Sequence, residues 1–237
     1  MFWHSLLFLG LTLTTGMMRP FRVMCLHGKG SNPERFASQL QPLVRYLGPR
    51  ARFEWLQAPY PLESDSSTFQ WWILPEGQRS FEAEHYTGAT ESIAMVESEI
   101  RRREIDVVIG HSQGSMLLAA LLAQRLQKGS PPLANQQQQP RFGAILSSPA
   151  WPRPYTPEIA ALSDSRPSSA QMQLHCVFTV GAKDAINPPI HTREIAEHFR
   201  HRCGETSCHI LEHKGGHVLP VDETSLAFLE LHVFSHF

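Results

Sequence analysis

Short apolar runs alternate with longer amphipathic runs along most of this chain. The short runs are rich in β-branched and aliphatic residues and predict strands at 23–26, 51–57, 105–109, 142–146, 172–181 and 208–213. The longer runs carry apolar residues at helical spacing and predict helices between these strands. Strands that alternate with helices are typical of a doubly wound, mostly parallel sheet with helices on both faces. The sequence therefore predicts an α/β fold.

The helix after the first strand has a clear start and stop. Asn32 is suited to the N-cap position and Pro33 to the first helical position. Gly48 and Pro49 then end the helix. The apolar residues between these limits share one helical face and predict its buried side: Phe36, Leu40, Leu43, Val44 and Leu47.

The pentapeptide 110–114, Gly-His-Ser-Gln-Gly, lies between a predicted strand and a predicted helix. A G-x-S-x-G sequence in this context forms a sharp turn that holds the serine in a strained conformation and exposes its hydroxyl. Ser112 is therefore the candidate nucleophile. The backbone N–H of Gln113, at the start of the helix, is a candidate donor to an oxyanion.

A serine nucleophile needs a base and an orienting acid, which in this chain order are an aspartate or glutamate followed by a histidine. Asp184 follows the end of the strand 172–181, and His217 follows a glycine pair in the loop beyond the strand 208–213. Asp164 and Asp222 are the alternatives for the acid. Asp164, however, follows no strand, and Asp222 is suited to cap the last helix. His213 is the alternative base, but it closes a strand.

The first strand runs into the glycine-rich turn Gly28-Lys29-Gly30. In sites with a G-x-S-x-G serine, the second oxyanion donor comes from a loop after an earlier strand. The backbone N–H of Lys29 is the candidate, with Gly28 as the alternative. The glycine spacing matches neither the phosphate-binding loop nor the dinucleotide-binding pattern, which disfavours nucleotide binding.

These motifs together resemble the α/β-hydrolase superfamily, and most closely its small FSH-type serine hydrolases. The resemblance covers about residues 20–235 and rests on 25–28, 110–114, 181–184 and 215–217. It implies an esterase or related acyl hydrolase with the catalytic triad Ser112, Asp184 and His217. It also implies a carboxylic ester as substrate and no metal or organic cofactor. A thioesterase, an acyltransferase or a non-catalytic binding protein of the same fold are the alternatives.

Two long segments, 58–88 and 148–171, follow strand ends and are candidates for substrate-binding loops or a small lid. Both are rich in aromatic residues, and the candidate substrate-binding residues are Trp71, Trp72 and Trp151. Such side chains either line an acyl pocket or fix the loop to the core. Neither segment has an arginine cluster, so a compact apolar acyl or aryl ester is favoured over a phosphorylated or highly anionic substrate.

The formal net charge of −1 over 237 residues provides no basic surface for nucleic acid. Residues 19–237 are long enough for one domain with a sizeable core. Residues 1–18 form a signal-like or dispensable segment whose apolar run is too short for a stable membrane span. We expect a cytoplasmic protein, or a secreted one if residues 1–16 are a signal peptide. The oligomeric state is left open.

The four cysteines do not decide the compartment. Cys25 and Cys176 lie in apolar strands, where reduced thiols are common. Cys203 and Cys208 are close enough in sequence for a small disulfide in a secreted protein. These two cysteines also lie among four histidines, which suggests a zinc site, but strand spacing separates His209 from His213 and disfavours it.

Overall fold

A computed structural model describes residues 19–128, 141–164 and 173–237. Six of its strands form one parallel sheet in the order β2-β1-β5-β6-β7-β8, and β3 and β4 form a separate antiparallel hairpin. The strands are β1 (Phe21–Leu26), β2 (Ala51–Leu56), β3 (Tyr60–Leu62), β4 (Asp65–Gln70), β5 (Val107–His111), β6 (Arg141–Ser147), β7 (Gln173–Gly181) and β8 (Cys208–His213). The predicted fold class is confirmed.

Helices cover both faces of the sheet. They are α1 (Pro33–Gln39), α2 (Gln41–Leu47), α3 (Ala89–Arg102), α4 (Gln113–Lys128), α5 (Thr156–Ala160), α6 (Pro189–Cys203) and α7 (Glu223–His232). Buried residues of α1, α2 and α7 join one apolar cluster, and those of α3, α4, α5 and α6 join another. The sheet separates two apolar cores.

The central strands contribute to both cores in alternation. In β1, Met24 and Leu26 belong to one cluster, whereas Val23 and Cys25 belong to the other. All four side chains are buried. This is why the strand is a continuous apolar run, which is typical of parallel sheets covered on both faces.

The first predicted helix is divided in two, which the sequence analysis did not anticipate. Asn32 caps α1 by accepting the N–H of Arg35 at 2.8 Å, as expected. At Leu40 the backbone leaves the helical conformation, and α2 begins at the next residue. Pro42 explains the break, because it has no N–H to donate to Ser38 and its ring crowds that residue's carbonyl. Leu40 and Leu43 are nevertheless both buried.

The strand order brings two predicted site segments together. β1 pairs with β2 on one side and with β5 on the other, and Leu26 is in register with Gly110. The chain leaves β1 and β5 towards opposite sides of the sheet. Such a change of direction between neighbouring strands opens a crevice at their carboxyl ends. The turn after β1 and the turn after β5 therefore lie side by side.

The predictions for the N-terminal segment and for the polar loop at 129–140 concern residues that the structure does not describe. Residues 1–18 and 129–140 lie outside the described residues. Across the described ranges, no helix combines the length and apolar content that a membrane span needs. Cys25, Cys176, Cys203 and Cys208 are free thiols. Burial raises the pKa of Cys203 to about 12.

The loop after β8 crosses the end of β7 at very short range. A Cβ atom on Gly181 would lie 2.1 Å from the carbonyl oxygen of Gly216. The N–H of Lys183 donates to the carbonyl of Gly215 at 3.0 Å, which holds the two loops together. A glycine is therefore required where the loop that carries His217 meets β7.

We predict that Gly181→Ala lowers the free energy of unfolding by about 1–3 kcal/mol, because overlap with backbone cannot be relieved by a rotamer change. Urea denaturation measures this loss. Gly216→Ala is the control: its Cβ would meet the carbonyl oxygen of Lys183 at 3.4 Å, and we expect a smaller loss. Equal losses for the two variants would contradict the assigned contact.

Candidate active site

Ser112 occupies a strained turn between β5 and α4. Its φ angle is +52°, in the left-handed region that residues with a side chain rarely adopt. The Ser112 N–H donates to the carbonyl of Ser147 in β6 at 2.9 Å, and its own carbonyl accepts the N–H of Ser115 at 3.0 Å. Hydrogen bonds to the sheet and to the helix therefore hold the strained residue in place.

The two glycines of the pentapeptide are required by close backbone contacts. A Cβ on Gly110 would lie 2.7 Å from the Cα of Ser115, and one on Gly114 would lie 2.4 Å from the carbonyl oxygen of Leu26. α4 can therefore begin immediately against β1 and β5 only because both side chains are missing. This contact fixes the direction of the Ser112 side chain.

His217 and Asp184 form a buried hydrogen-bonded pair. Nδ1 of His217 lies 2.7 Å from Oδ2 of Asp184, whose side chain is only 2% exposed. The other carboxylate oxygen, Oδ1, accepts the backbone N–H groups of Ile186 and Asn187, each at 2.9 Å. Burial alone would raise the pKa of Asp184, but the hydrogen bonds from His217 and from the backbone outweigh it and lower the pKa. The carboxylate is therefore ionised at neutral pH.

The alternative acids and base have other roles. Asp222 caps α7, where its carboxylate accepts the N–H of Ser225 at 3.1 Å. Asp164 is exposed at the end of a short 3-10 helix. Nδ1 of His213 accepts the N–H of Gly215 at 3.3 Å, within the loop that precedes His217. The structure thus pairs His217 with Asp184 and not with Asp164 or Asp222.

Ser112 and His217 line the same cavity, which has a volume of about 590 Å³. A second cavity of about 520 Å³ also touches His217 and is lined by His111, by Phe36 and Leu40, and by apolar residues of the loop 215–221. His217 therefore stands between two spaces. The serine opens into the first of them.

His111, directly before the serine, is close to His217 but unsuited to act as a base. The two ring centroids are 4.8 Å apart. Burial and the neighbouring His217 lower the pKa of His111 to about 3. Its ring stays neutral, and its Nδ1 lies 3.2 Å from the hydroxyl oxygen of Ser147.

The two predicted oxyanion donors flank the serine. Gln113 is the first residue of α4, so its N–H has no acceptor within the helix. In the turn after β1, the N–H groups of Gly30 and Ser31 are bonded to carbonyls of Phe69 and Gly28. Among the described residues, no acceptor is within hydrogen-bond distance of the Lys29 N–H.

His27 stabilises the turn that carries Lys29. Its imidazole is buried, with Nδ1 2.8 Å from the carbonyl oxygen of Gly28 and Nε2 accepting the N–H of Ala58 at 3.2 Å. Burial lowers the pKa of His27. The neutral ring donates on one side and accepts on the other, which fixes the start of the segment 58–88 against the turn.

The tryptophans predicted to bind substrate are placed elsewhere. Trp71 and Trp72 are fully buried, and neither lines the cavity beside Ser112. The Trp71 indole donates to the carbonyl of His27 at 2.7 Å, and the Trp72 ring stacks on Tyr86 with centroids 4.7 Å apart. These contacts are structural, and they correct the expectation that both rings contact substrate. Buried aromatic rings stabilise a loop because each removes a large apolar area from water.

Gln113 connects these tryptophans to the elbow. Its side-chain carbonyl accepts the N–H of Trp71 at 2.8 Å, and its amide donates to the carbonyl of Trp72 at 3.2 Å. Trp151, the third candidate, donates from its indole to Glu194 of α6 at 2.7 Å and also lies away from this cavity. Trp151 was predicted to contact substrate only because its segment, 148–171, contains aromatic residues.

Several residues that line the cavity beside Ser112 were not predicted from the sequence. They are Gly30, Leu62, Leu74, Gly77, Gln78, Arg79, Ser80, Met116, Ile186 and Asn187. The segment 58–88 was identified as a binding loop, but the residues that reach the cavity are mostly its polar and aliphatic ones. Only the position of Met116, one turn after Ser112 on α4, could have predicted its place at the cavity.

The residues that the structure describes do not assemble a metal site. In these ranges, no group of three or more histidine, cysteine, aspartate or glutamate side chains is arranged to hold a metal ion. Cys203, Cys208 and the neighbouring histidines considered for zinc are thus not assembled into a metal site. What the site does contain is a strained serine and a hydrogen-bonded histidine–aspartate pair at one cavity.

Comparison with known proteins agrees with this arrangement. The family model described as serine hydrolase (FSH1) matches residues 17–228. Esterase GME11355 of Pestalotiopsis microspora is 24% identical over 245 residues, which cover 90% of each chain. The probable esterase azaC of Aspergillus niger is 27% identical over 217 residues, which cover 84% of this chain and 79% of the relative.

A solved structure shares the fold. The crystal structure of esterase PE8 has a TM-score of 0.66 at 18% identity, with 90% of this chain and 93% of that chain covered. This likeness supports the α/β-hydrolase fold. The family match extends over most of the 237 residues and confirms the resemblance found in the motifs. The chain therefore belongs to the FSH1 family of serine hydrolases.

Proposed function

We propose that the chain cleaves carboxylic esters in two steps and that Ser112, His217 and Asp184 form its catalytic triad. The observation that carries the proposal is the 2.7 Å contact between His217 and the buried Asp184, at a cavity that Ser112 also lines. A serine in an ordinary turn would have no such pair beside it. Family relatives named esterases support the same reaction.

In the first step, Oγ of Ser112 attacks the ester carbonyl while Nε2 of His217 takes the hydroxyl proton. The tetrahedral intermediate collapses, the C–O bond to the alcohol breaks, and the proton passes from His217 to the leaving alcohol. In the second step water attacks the acyl-enzyme, with its proton again passing through His217 to Ser112. One ester and one water give one acid and one alcohol.

Asp184 would hold the imidazole in the tautomer that presents Nε2 to the serine, and it would stabilise the imidazolium that forms. The backbone N–H groups of Gln113 and Lys29 would stabilise the negative charge on the carbonyl oxygen of the intermediate. Both groups belong to turns at the carboxyl ends of neighbouring strands. This placement supports their role as a pair of donors.

The substrate we propose is a small to medium ester with an apolar acyl or aryl part. The cavity beside Ser112 has a volume of about 590 Å³, within the range of pockets for small molecules. Its aliphatic wall comes from Leu62, Leu74, Met116 and Ile186. Such a wall favours an apolar chain of limited length.

We predict that Ser112→Ala abolishes both ester hydrolysis and covalent labelling by a fluorophosphonate probe. The wild-type protein should form an adduct that mass spectrometry locates on the peptide containing Ser112. The variant should fold normally, because the change removes one hydroxyl and no core packing. A folded wild-type protein that neither labels at Ser112 nor cleaves any activated ester would favour a non-catalytic protein of this fold.

Asp184→Asn should lower kcat by about 10⁴-fold while the protein stays folded, since an amide stabilises the wrong tautomer of the imidazole. Steady-state kinetics on an activated ester measures the loss. Asp164→Asn and Asp222→Asn are the matched controls and should have mild effects, because Asp164 is exposed and an asparagine at position 222 still caps α7. A severe effect of either control would mean that the acid is wrongly assigned.

A series of 4-nitrophenyl esters tests the expected size of the acyl group. We predict that kcat/KM is highest for short to medium chains and falls for long ones, because the cavity encloses only a small ligand. Long-chain triglycerides should be poorer substrates than soluble esters. The opposite order would mean that the cavity beside Ser112 does not limit the acyl chain.

A further inference from the structure

Two basic residues from distant parts of the sequence line the cavity beside Ser112. Lys29 comes from the turn after β1, and Arg79 comes from the segment 58–88. The other described residues that line this cavity include no aspartate or glutamate. Asp184 lies behind His217 with its side chain 2% exposed, and it does not line this cavity. The wall that faces a ligand is therefore cationic.

The Arg79 side chain is held over the cavity although the residue is exposed. Its Nη1 donates to the carbonyl of Ile186 at 3.0 Å. The N–H of Ile186 in turn donates to Asp184, so the guanidinium is attached to the loop that carries the proposed acid. A side chain fixed in this way loses less entropy when it binds a ligand.

Neither cation is neutralised by an acidic side chain of the described residues. No carboxylate oxygen lies within 4.0 Å of the Arg79 guanidinium or of the Lys29 ammonium in those ranges. Glu82 is the acidic residue in contact with Arg79, and it accepts the backbone N–H at 3.0 Å. A guanidinium has five N–H donors, and the bond to Ile186 uses one of them.

The uncharged residues of the cavity wall determine which part of a substrate can lie between its charged group and its ester. Leu62, Leu74, Met116 and Ile186 provide aliphatic surface, and Gln78, Ser80 and Asn187 provide neutral polar groups. A ligand that matches both the aliphatic surface and the two basic residues has an apolar stretch and a single anionic group. A carboxylate matches the planar fork of an arginine.

We propose that the preferred substrates are esters that also carry a free carboxylate, which Arg79 and Lys29 bind while the ester carbonyl lies at Ser112. This inference rests on the proposed function and makes its substrate class narrower. The carboxylate takes no part in the chemical step, which stays the hydrolysis of one ester by one water. The sequence favours an apolar ester over a phosphorylated or highly anionic substrate, and an apolar ester with a single carboxylate belongs to neither of the disfavoured classes.

The test compares pairs of substrates that differ only in this charge. One pair carries it on the acyl side, 4-nitrophenyl hydrogen adipate and 4-nitrophenyl methyl adipate. The other carries it on the alcohol side, 3-(4-acetoxyphenyl)propanoate and its methyl ester. We expect kcat/KM for the anionic member of at least one pair to exceed that of the neutral member about five- to tenfold at low ionic strength.

Variants at the two cations should change this ratio. Arg79→Gln and Lys29→Gln should each lower it, Arg79→Glu should reverse it, and Arg79→Lys should retain most of it because the charge is kept. The ratio cancels any defect that affects both members of a pair equally. In 1 M NaCl, where the screening length is about 3 Å, the wild-type preference should shrink towards unity. Arg45→Gln is the control, since Arg45 is exposed on α2 and does not line the cavity.

The outcomes separate this inference from the proposed function. Hydrolysis of both members at equal rates in both pairs, with no response to Arg79→Gln, would overturn the carboxylate preference and leave the esterase proposal intact. A preference that Arg79→Gln, Lys29→Gln and Arg45→Gln all lower equally would also overturn it. Absence of hydrolysis for all four esters, together with no labelling of Ser112, would overturn the proposed function itself.

Discussion

The contact between the start of α4 and the carboxyl ends of β1 and β5 is the constraint on which the rest of the site depends. Gly110 and Gly114 leave no Cβ atoms in this contact, so the helix begins where the strand ends and Ser112 is forced to a φ of +52°. Strain of this kind persists only where surrounding hydrogen bonds fix it. Here Ser147 of β6 holds the serine backbone, so the sheet itself maintains the position of Ser112.

Buried side chains extend this constraint to the segment 58–88. Gln113 bonds to the backbone of Trp71 and Trp72, and Trp71 bonds back to the turn after β1. The tryptophans are thus anchors, and their burial leaves the polar and aliphatic residues of the same segment at the cavity. This explains why Arg79 and Leu74 reach the cavity when the larger rings do not. When buried residues anchor a loop, its other side chains keep defined positions at the cavity.

Electrostatics divides the site into two regions. Behind His217, the Asp184 carboxylate is enclosed and satisfied by the imidazole and by two backbone N–H groups. In front of it, the cavity beside Ser112 carries the unneutralised charges of Lys29 and Arg79. Enclosed charges interact more strongly than exposed ones because water screens them less. In the mechanism we propose, the enclosed acid acts on His217, and the exposed cations would bind the ligand.

The sequence by itself determined the order of strands and helices, the elbow at Ser112 and the pairing of Asp184 with His217. These depend on local patterns and on which strand end each loop follows, and a parallel sheet brings such ends to one edge. Tertiary structure alone decided that Pro42 divides the first helix, that Trp71 and Trp72 are buried, and which side chains line the cavity. The direction of a loop side chain depends on contacts with residues far along the chain, and composition does not encode those contacts.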